Sequence, residues 1–132
     1  MKTTSQLFRF LRNALEDPKR GVVGAVEDLL EVSRERPLRL DWEGDHCQVC
    51  MADGDSEETI DVVFPKSVFR AILARMATLC NERNPNSVSP YGGQGELVAR
   101  VNPSTVVKTT IVNTSADQRL ALTTETNSTV AM

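Results

Sequence analysis

The chain has 132 residues, 40% of them hydrophobic and 25% charged, the proportions of an ordinary globular domain and not of a disordered, fibrous or membrane-spanning chain. Its 15 Lys and Arg against 18 Asp and Glu leave a net charge of -3 and no broad positive field to gather phosphates, which argues against nucleic acid as a partner. No apolar run reaches the roughly 18 residues of a membrane span, and three cysteines, an odd number in a chain long enough to fold without staples, point to a reducing, cytoplasmic setting.

From Ser5 to Glu16, Leu7, Phe8, Leu11, Ala14 and Leu15 recur at three- and four-residue spacings, the signature of one buried helix face. Arg9 and Arg12 within this amphipathic stretch are unlike a signal peptide. Asp17-Pro18 ends the helix, and a second, about Val22 to Arg34, buries Val22, Val26, Leu29 and Leu30, with Pro37 as a stop signal. Residues 1–36 are thus expected to form a helical hairpin.

After Pro37 the period changes to two. Leu38, Leu40 and Trp42 alternate with Arg39, Asp41 and Glu43, as in a half-solvated antiparallel strand. Gly44-Asp45 offers a turn; Cys47, Val49 and Met51 continue an inward face; Ala52 to Glu58 reads as a polar loop; Ile60, Val62 and Phe64 mark a third strand. Pro65 suits the first turn of a helix whose stripe is Val68, Phe69, Ile72, Leu73, Met76, Leu79 and Cys80. Asn81 to Gly95 reads as a loop, followed by strands over Glu96 to Val101, Thr105 to Asn113 and Gln118 to Thr124, with turns at Asn102-Pro103-Ser104 and 114–117. The tail 125–132 has no pattern and is expected to fray. The expected fold is α+β: a helical hairpin, then β-β-β-α-β-β-β over 37–124. Its sheet is largely antiparallel and covered by one helix, with the hairpin at an edge or in the same layer, one structural domain overall.

The candidate chemistry is sparse. His46-Cys47-Gln48-Val49-Cys50 contains a zinc half-site, but residues three apart in a strand point to opposite faces, so Cys47 and Cys50 could not grip one ion. Cys80 stands alone on a helix. His46, the only histidine, lies beside a hairpin turn with no nucleophile signature around it. Asp53, Asp55, Glu57 and Glu58 lack the closing bidentate Glu of a calcium loop and read as a solvated tip. No catalytic residue, metal or cofactor is therefore assigned, and the chain is not expected to be an enzyme. Tyr91-Gly92-Gly93-Gln94-Gly95 has the glycines of a close-approach loop but no Gly-Lys-Ser/Thr ending and no helix after it. It fits either a tight turn into the sheet or a partner-contact loop.

Five segments carry a resemblance: Phe64-Pro65-Lys66-Ser67-Val68-Phe69-Arg70-Ala71-Ile72-Leu73-Ala74-Arg75-Met76, Asn81-Glu82-Arg83, Ser89 to Leu97, Lys108 to Asn113 and Gln118 to Leu122. Over about Leu38 to Thr124 their pattern resembles the small N-terminal accessory domain that precedes the ATPase core in type II secretion and type IV pilus motor ATPases. The motor's Gly-x-x-x-x-Gly-Lys-Ser/Thr and acidic metal-binding boxes are missing from this sequence, so ATP hydrolysis is not expected. The resemblance implies a non-catalytic docking or regulatory module with a protein partner, a secretion or pilus motor component. It places arginines of this domain toward nucleotide on the core; Lys108 and Arg119 stand at the matching strands, Lys108 without the bidentate fork of arginine. The expected contact surface is Tyr91, Gly92, Gly93, Gln94 and Gly95 with Lys108 and Arg119. The alternative is a PAS-like small-molecule-sensing domain, although an aromatic content of 5% disfavours a pocket for flat rings.

Overall fold

A computed structural model describes residues 2–17, 19–99 and 105–124. Pro18, the Asn102-Pro103-Ser104 turn, the last two residues of the strand expected over Glu96 to Val101, and the tail 125–132 lie outside the described residues.

Helix α1 spans Thr4–Glu16, and its first turn is closed by a capping box in which Thr3 and Gln6 satisfy each other's backbone N–H. Helix α2 spans Gly21–Ser33 and helix α3 Lys66–Arg83. Pro65 sits just before α3, not inside its first turn, and its carbonyl accepts from the N–H groups of Val68 and Phe69. The strands are β1 Leu38–Trp42, β2 Cys47–Asp53, β3 Ser56–Val62, β4 Val88–Ser89, β5 Gly92–Ala99, β6 Thr105–Asn113 and β7 Gln118–Thr124. They form one seven-stranded antiparallel sheet in the order β3-β2-β1-β7-β6-β5-β4.

Two expected loops are strands. The polar stretch Ala52 to Glu58 continues the β2–β3 ladder, with Met51 opposite Glu58 and Ala52 opposite Glu57, and only Gly54-Asp55 turn. Ladder bonds come from the backbone, so acidic side chains do not end a strand at a sheet edge, where they are solvated and guard against stray pairing. The stretch Asn81 to Gly95 is likewise mostly ordered elements: α3 runs on to Arg83, and β4 and β5 form a hairpin about Pro90-Tyr91.

The helices form one layer. α3 packs on β5, β6 and β7; α2 packs on α3; α1 reaches from α2 to β3. A single core cluster joins Leu7, Leu11 and Leu15 of α1, Leu29 of α2, and Phe69, Ile72, Leu73 and Met76 of α3 to the inward side chains of the strands. Trp42, Phe64 and Phe69 pack as an aromatic trio, Trp42 stacked on Phe69 at 5.8 Å between ring centroids. Arg36 donates to both Thr4 and Asp53 and so ties the start of α1 to the end of β2. Ile72 and Leu73 are fully enclosed. Truncating either to Ala is expected to lower the unfolding free energy by about 2–5 kcal/mol. Urea denaturation reads this directly, and unchanged midpoints in both variants would take the α3 stripe out of the core.

Candidate interaction surface

Alternation along each strand sends one set of side chains under the helices and the other to the opposite face. In β5 to β7 the covered set includes Leu97, Val107, Ile111, Leu120 and Leu122. The opposite set, Gln94, Glu96, Lys108, Thr110, Arg119 and Thr123 among them, lies on a face that no helix packs against. Of the expected contact residues, Gln94, Lys108 and Arg119 share this uncovered face.

They do not converge on one point. Arg119 is opposite Val112 and Lys108 opposite Thr123, so the two cations are four residues apart along β6, about 13 Å at strand spacing. Lys108 lies between Glu96 and Thr123 in a shallow depression of about 400 Å³, and it forms no ion pair among the described residues. Arg119 is committed: its Nε bonds Asp41, which also accepts from Arg39 Nε at 2.9 Å. Arg39 reaches on to Glu57 at 3.4 Å, giving a row of alternating charge across the sheet. Hydrogen bonding to Asp41, ahead of the nearby Cys50 and Glu57 charges, makes Arg39 hold its proton more firmly than usual. This row escaped the sequence reading, because only the β1–β7 register brings Asp41 opposite Arg119.

Tyr91 is 74% exposed in the β4–β5 turn, at the Arg119 end of the sheet, and its carbonyl accepts from Asn113 N–H at 2.8 Å. Gly92, Gly93 and Gly95 belong to β5, a correction to the loop assignment. Their small size serves packing. Gly92 has φ +134°, and a Cβ there would stand 2.3 Å from the Ile111 carbonyl oxygen; a Cβ on Gly95 would press on Cys80 of α3. Gly92→Ala is expected to cost at least about 1–3 kcal/mol from the backbone conformation alone, and more than Gly54→Ala, whose added methyl meets nothing within 4 Å. Equal melting temperatures for the two variants would contradict this account of Gly92.

The remaining candidates separate. Cys47 is in the core, where burial pushes its thiol far above the ordinary range, whereas Cys50 is on the opposite face against Arg39 and Thr59 at 3.3 Å each. Burial also raises the Cys80 thiol, with a partly opposing hydrogen bond from Thr109. The acidic residues at 53–58 do not meet: Asp53 pairs with Arg36 and Glu57 with Arg39. No helix among the described residues is long and apolar enough to cross a membrane. The chain matches no protein-family model and no curated protein.

His46 bridges Asp45, at 2.8 Å from Nδ1, and Asp61, at 3.5 Å from Nε2. The Asp45 hydrogen bond, followed by the charges of Asp61, Asp45 and Glu43, raises its pKa above 6.5. A pKa raised on folding gives stability that is complete below the unfolded value and lost as pH rises through the folded one. As the chain has one histidine, a proton NMR titration will show a single imidazole curve above 6.5, moving back on Asp45→Asn; a midpoint at or below 6.5 would contradict the bridge.

Proposed function

We propose that the chain is a non-catalytic docking or regulatory module that meets a protein partner on the uncovered face of its sheet. The observation that carries this reading is that all the helices lie on the other side, leaving a broad sheet face with mixed polarity, an unpaired Lys108 and the exposed ring of Tyr91 at its end. A surface of that composition suits a partner that comes and goes, since permanent interfaces are more apolar. Tyr91 supplies a flat amphipathic anchor, and Lys108 a cation that forms no ion pair among the described residues. Arg119 contributes less, being held by Asp41.

The resemblance to the accessory domain of type II secretion and type IV pilus motors names the partner class: the ATPase core of such a motor, acting in a reducing, cytoplasmic compartment. The carboxylates of this row, Asp41 and Glu57, serve as ion-pair partners of Arg39 and Arg119. One observation favours the PAS-like sensing alternative, an apolar groove on the helix side of the sheet between α2 and α3.

Titration of the purified chain against the motor ATPase core of the same organism, followed by calorimetry, tests the docking reading. Saturable binding is expected, weakened at least about tenfold by Tyr91→Ala combined with Lys108→Glu, with the melting temperature unchanged. Failure to bind the motor, or undiminished binding by the folded double variant, would reject the partner or the surface respectively.

A further inference from the structure

Where α2 and α3 run beside the end of β5 they leave a groove of about 260 Å³. Its walls are apolar: Val23, Val26 and Leu30 from α2, Leu79 from α3, and Val98 and Ala99 from β5. Val23, at 52% exposure, is one of the few large hydrophobic side chains left open to solvent. Beside the carboxylates Glu27 and Glu82, one further polar group is set among these walls without a partner, and an apolar concavity with a few polar groups is the usual build of a small-molecule site.

The polar group is Arg75. Its Nε is buried and has no hydrogen-bond partner, the one side-chain nitrogen or oxygen in that condition among the described residues. Arg75 also makes no ion pair among the described residues. The two carboxylates at the rim do not serve it. Glu27 is bonded to Arg20 at 3.2 Å, and Glu82 follows Arg75 by seven residues on α3, about 10 Å along the helix axis. Arg75 is only partly buried, but its Nε is the one buried side-chain nitrogen or oxygen among the described residues that the protein leaves without an acceptor.

We propose that the groove binds a small amphiphilic monocarboxylate, its carboxylate on the Arg75 guanidinium and its hydrocarbon along Val26, Leu30 and Leu79. A planar carboxylate matches the fork of arginine and supplies the missing acceptors. The rim carboxylates Glu27 and Glu82 oppose any anion, a monoanion less than a phosphate dianion, and Glu27 is already bonded to Arg20. The volume equals that of roughly nine water molecules, the scale of a medium-chain acid. The site lies between α2 and α3 at the end of β5 and includes neither Tyr91 nor Lys108, so it is independent of the docking reading.

Octanoate is the probe, with octanol and octylammonium as controls of similar apolar length. In calorimetric titration of the full chain, octanoate is expected to bind saturably at millimolar concentration and to raise the melting temperature, while the two controls at equal concentration do neither. Arg75→Met removes the cation and is expected to weaken octanoate at least tenfold. Leu79→Trp keeps the cation and fills the groove, and is expected to do the same, so that one ill-folded variant, detected by circular dichroism, leaves the other to decide. Equal binding of octanol and octanoate, wild-type affinity in a folded variant of either kind, or no saturable octanoate binding would each overturn the proposal.

Discussion

The ladder between β1 and β7 is the constraint on which this architecture depends. It is where the meander that precedes α3 and the meander that follows it become one sheet. Leu38 is opposite Leu122 and Leu40 opposite Leu120, all four enclosed, and such side chains are worth about 1.5–3 kcal/mol each on burial. On the uncovered side of the same seam, Asp41 joins Arg119 across a sequence separation of 78 residues. Closing so long a loop costs only slightly more than closing a shorter one, because the penalty grows logarithmically. The leucine pairs supply the stabilisation, and the Asp41 pairing adds register, since a slip of one residue would turn the leucines to solvent and the charges into the core.

The seam also determines what the surface can offer. Arg119 and Arg39 converge on Asp41 and Glu57, so most of the charge on the central strands is balanced within the sheet. Pairs exposed to this degree contribute little stability individually, yet they leave few free charges in the middle of the face. Lys108, farther along β6, is outside the row and forms no ion pair among the described residues. The edges differ as well. β3 carries Glu57, Glu58 and Asp61, and Glu16 of α1 takes the N–H of Val63 just beyond it, whereas β4 covers only Gly92 and Gly93 of the longer β5.

Periodicity made much of this fold legible. The three- and four-residue spacings of Leu7, Leu11 and Leu15 and of Phe69, Ile72, Leu73 and Met76 mark faces that are buried, and the alternation around Leu38 to Trp42 marks β1. What misled was local composition. Acidic residues at 53–58 and glycines at 92–95 look like loop, but an edge strand can be solvated, and glycine in β5 answers the closeness of the Ile111 carbonyl and of Cys80. The pairing of Asp41 with Arg119 and the isolation of Arg75 were not legible at all. Both are facts of tertiary placement: the first needs β1 beside β7, the second needs α2 laid against α3 so that Arg75 Nε is buried without an acceptor among the described residues.

Helix α3 links the two surfaces discussed. One of its sides enters the core through Phe69, Ile72, Leu73 and Met76, while Arg75 and Leu79 border the groove with α2. Near its end, Cys80 comes so close to Gly95 that a Cβ on the glycine would sit 3.0 Å away. A contact that tight leaves no slack between helix and strand, because packed interiors yield to added volume only by displacing neighbours. α3 and β5 are therefore closely packed at this point, with Gln94 and Glu96 on the open side of the strand. α2 packs on α3 and α1 and also touches β7 and β5, begins at Arg20 without a side-chain cap, and forms the opposite wall of the groove.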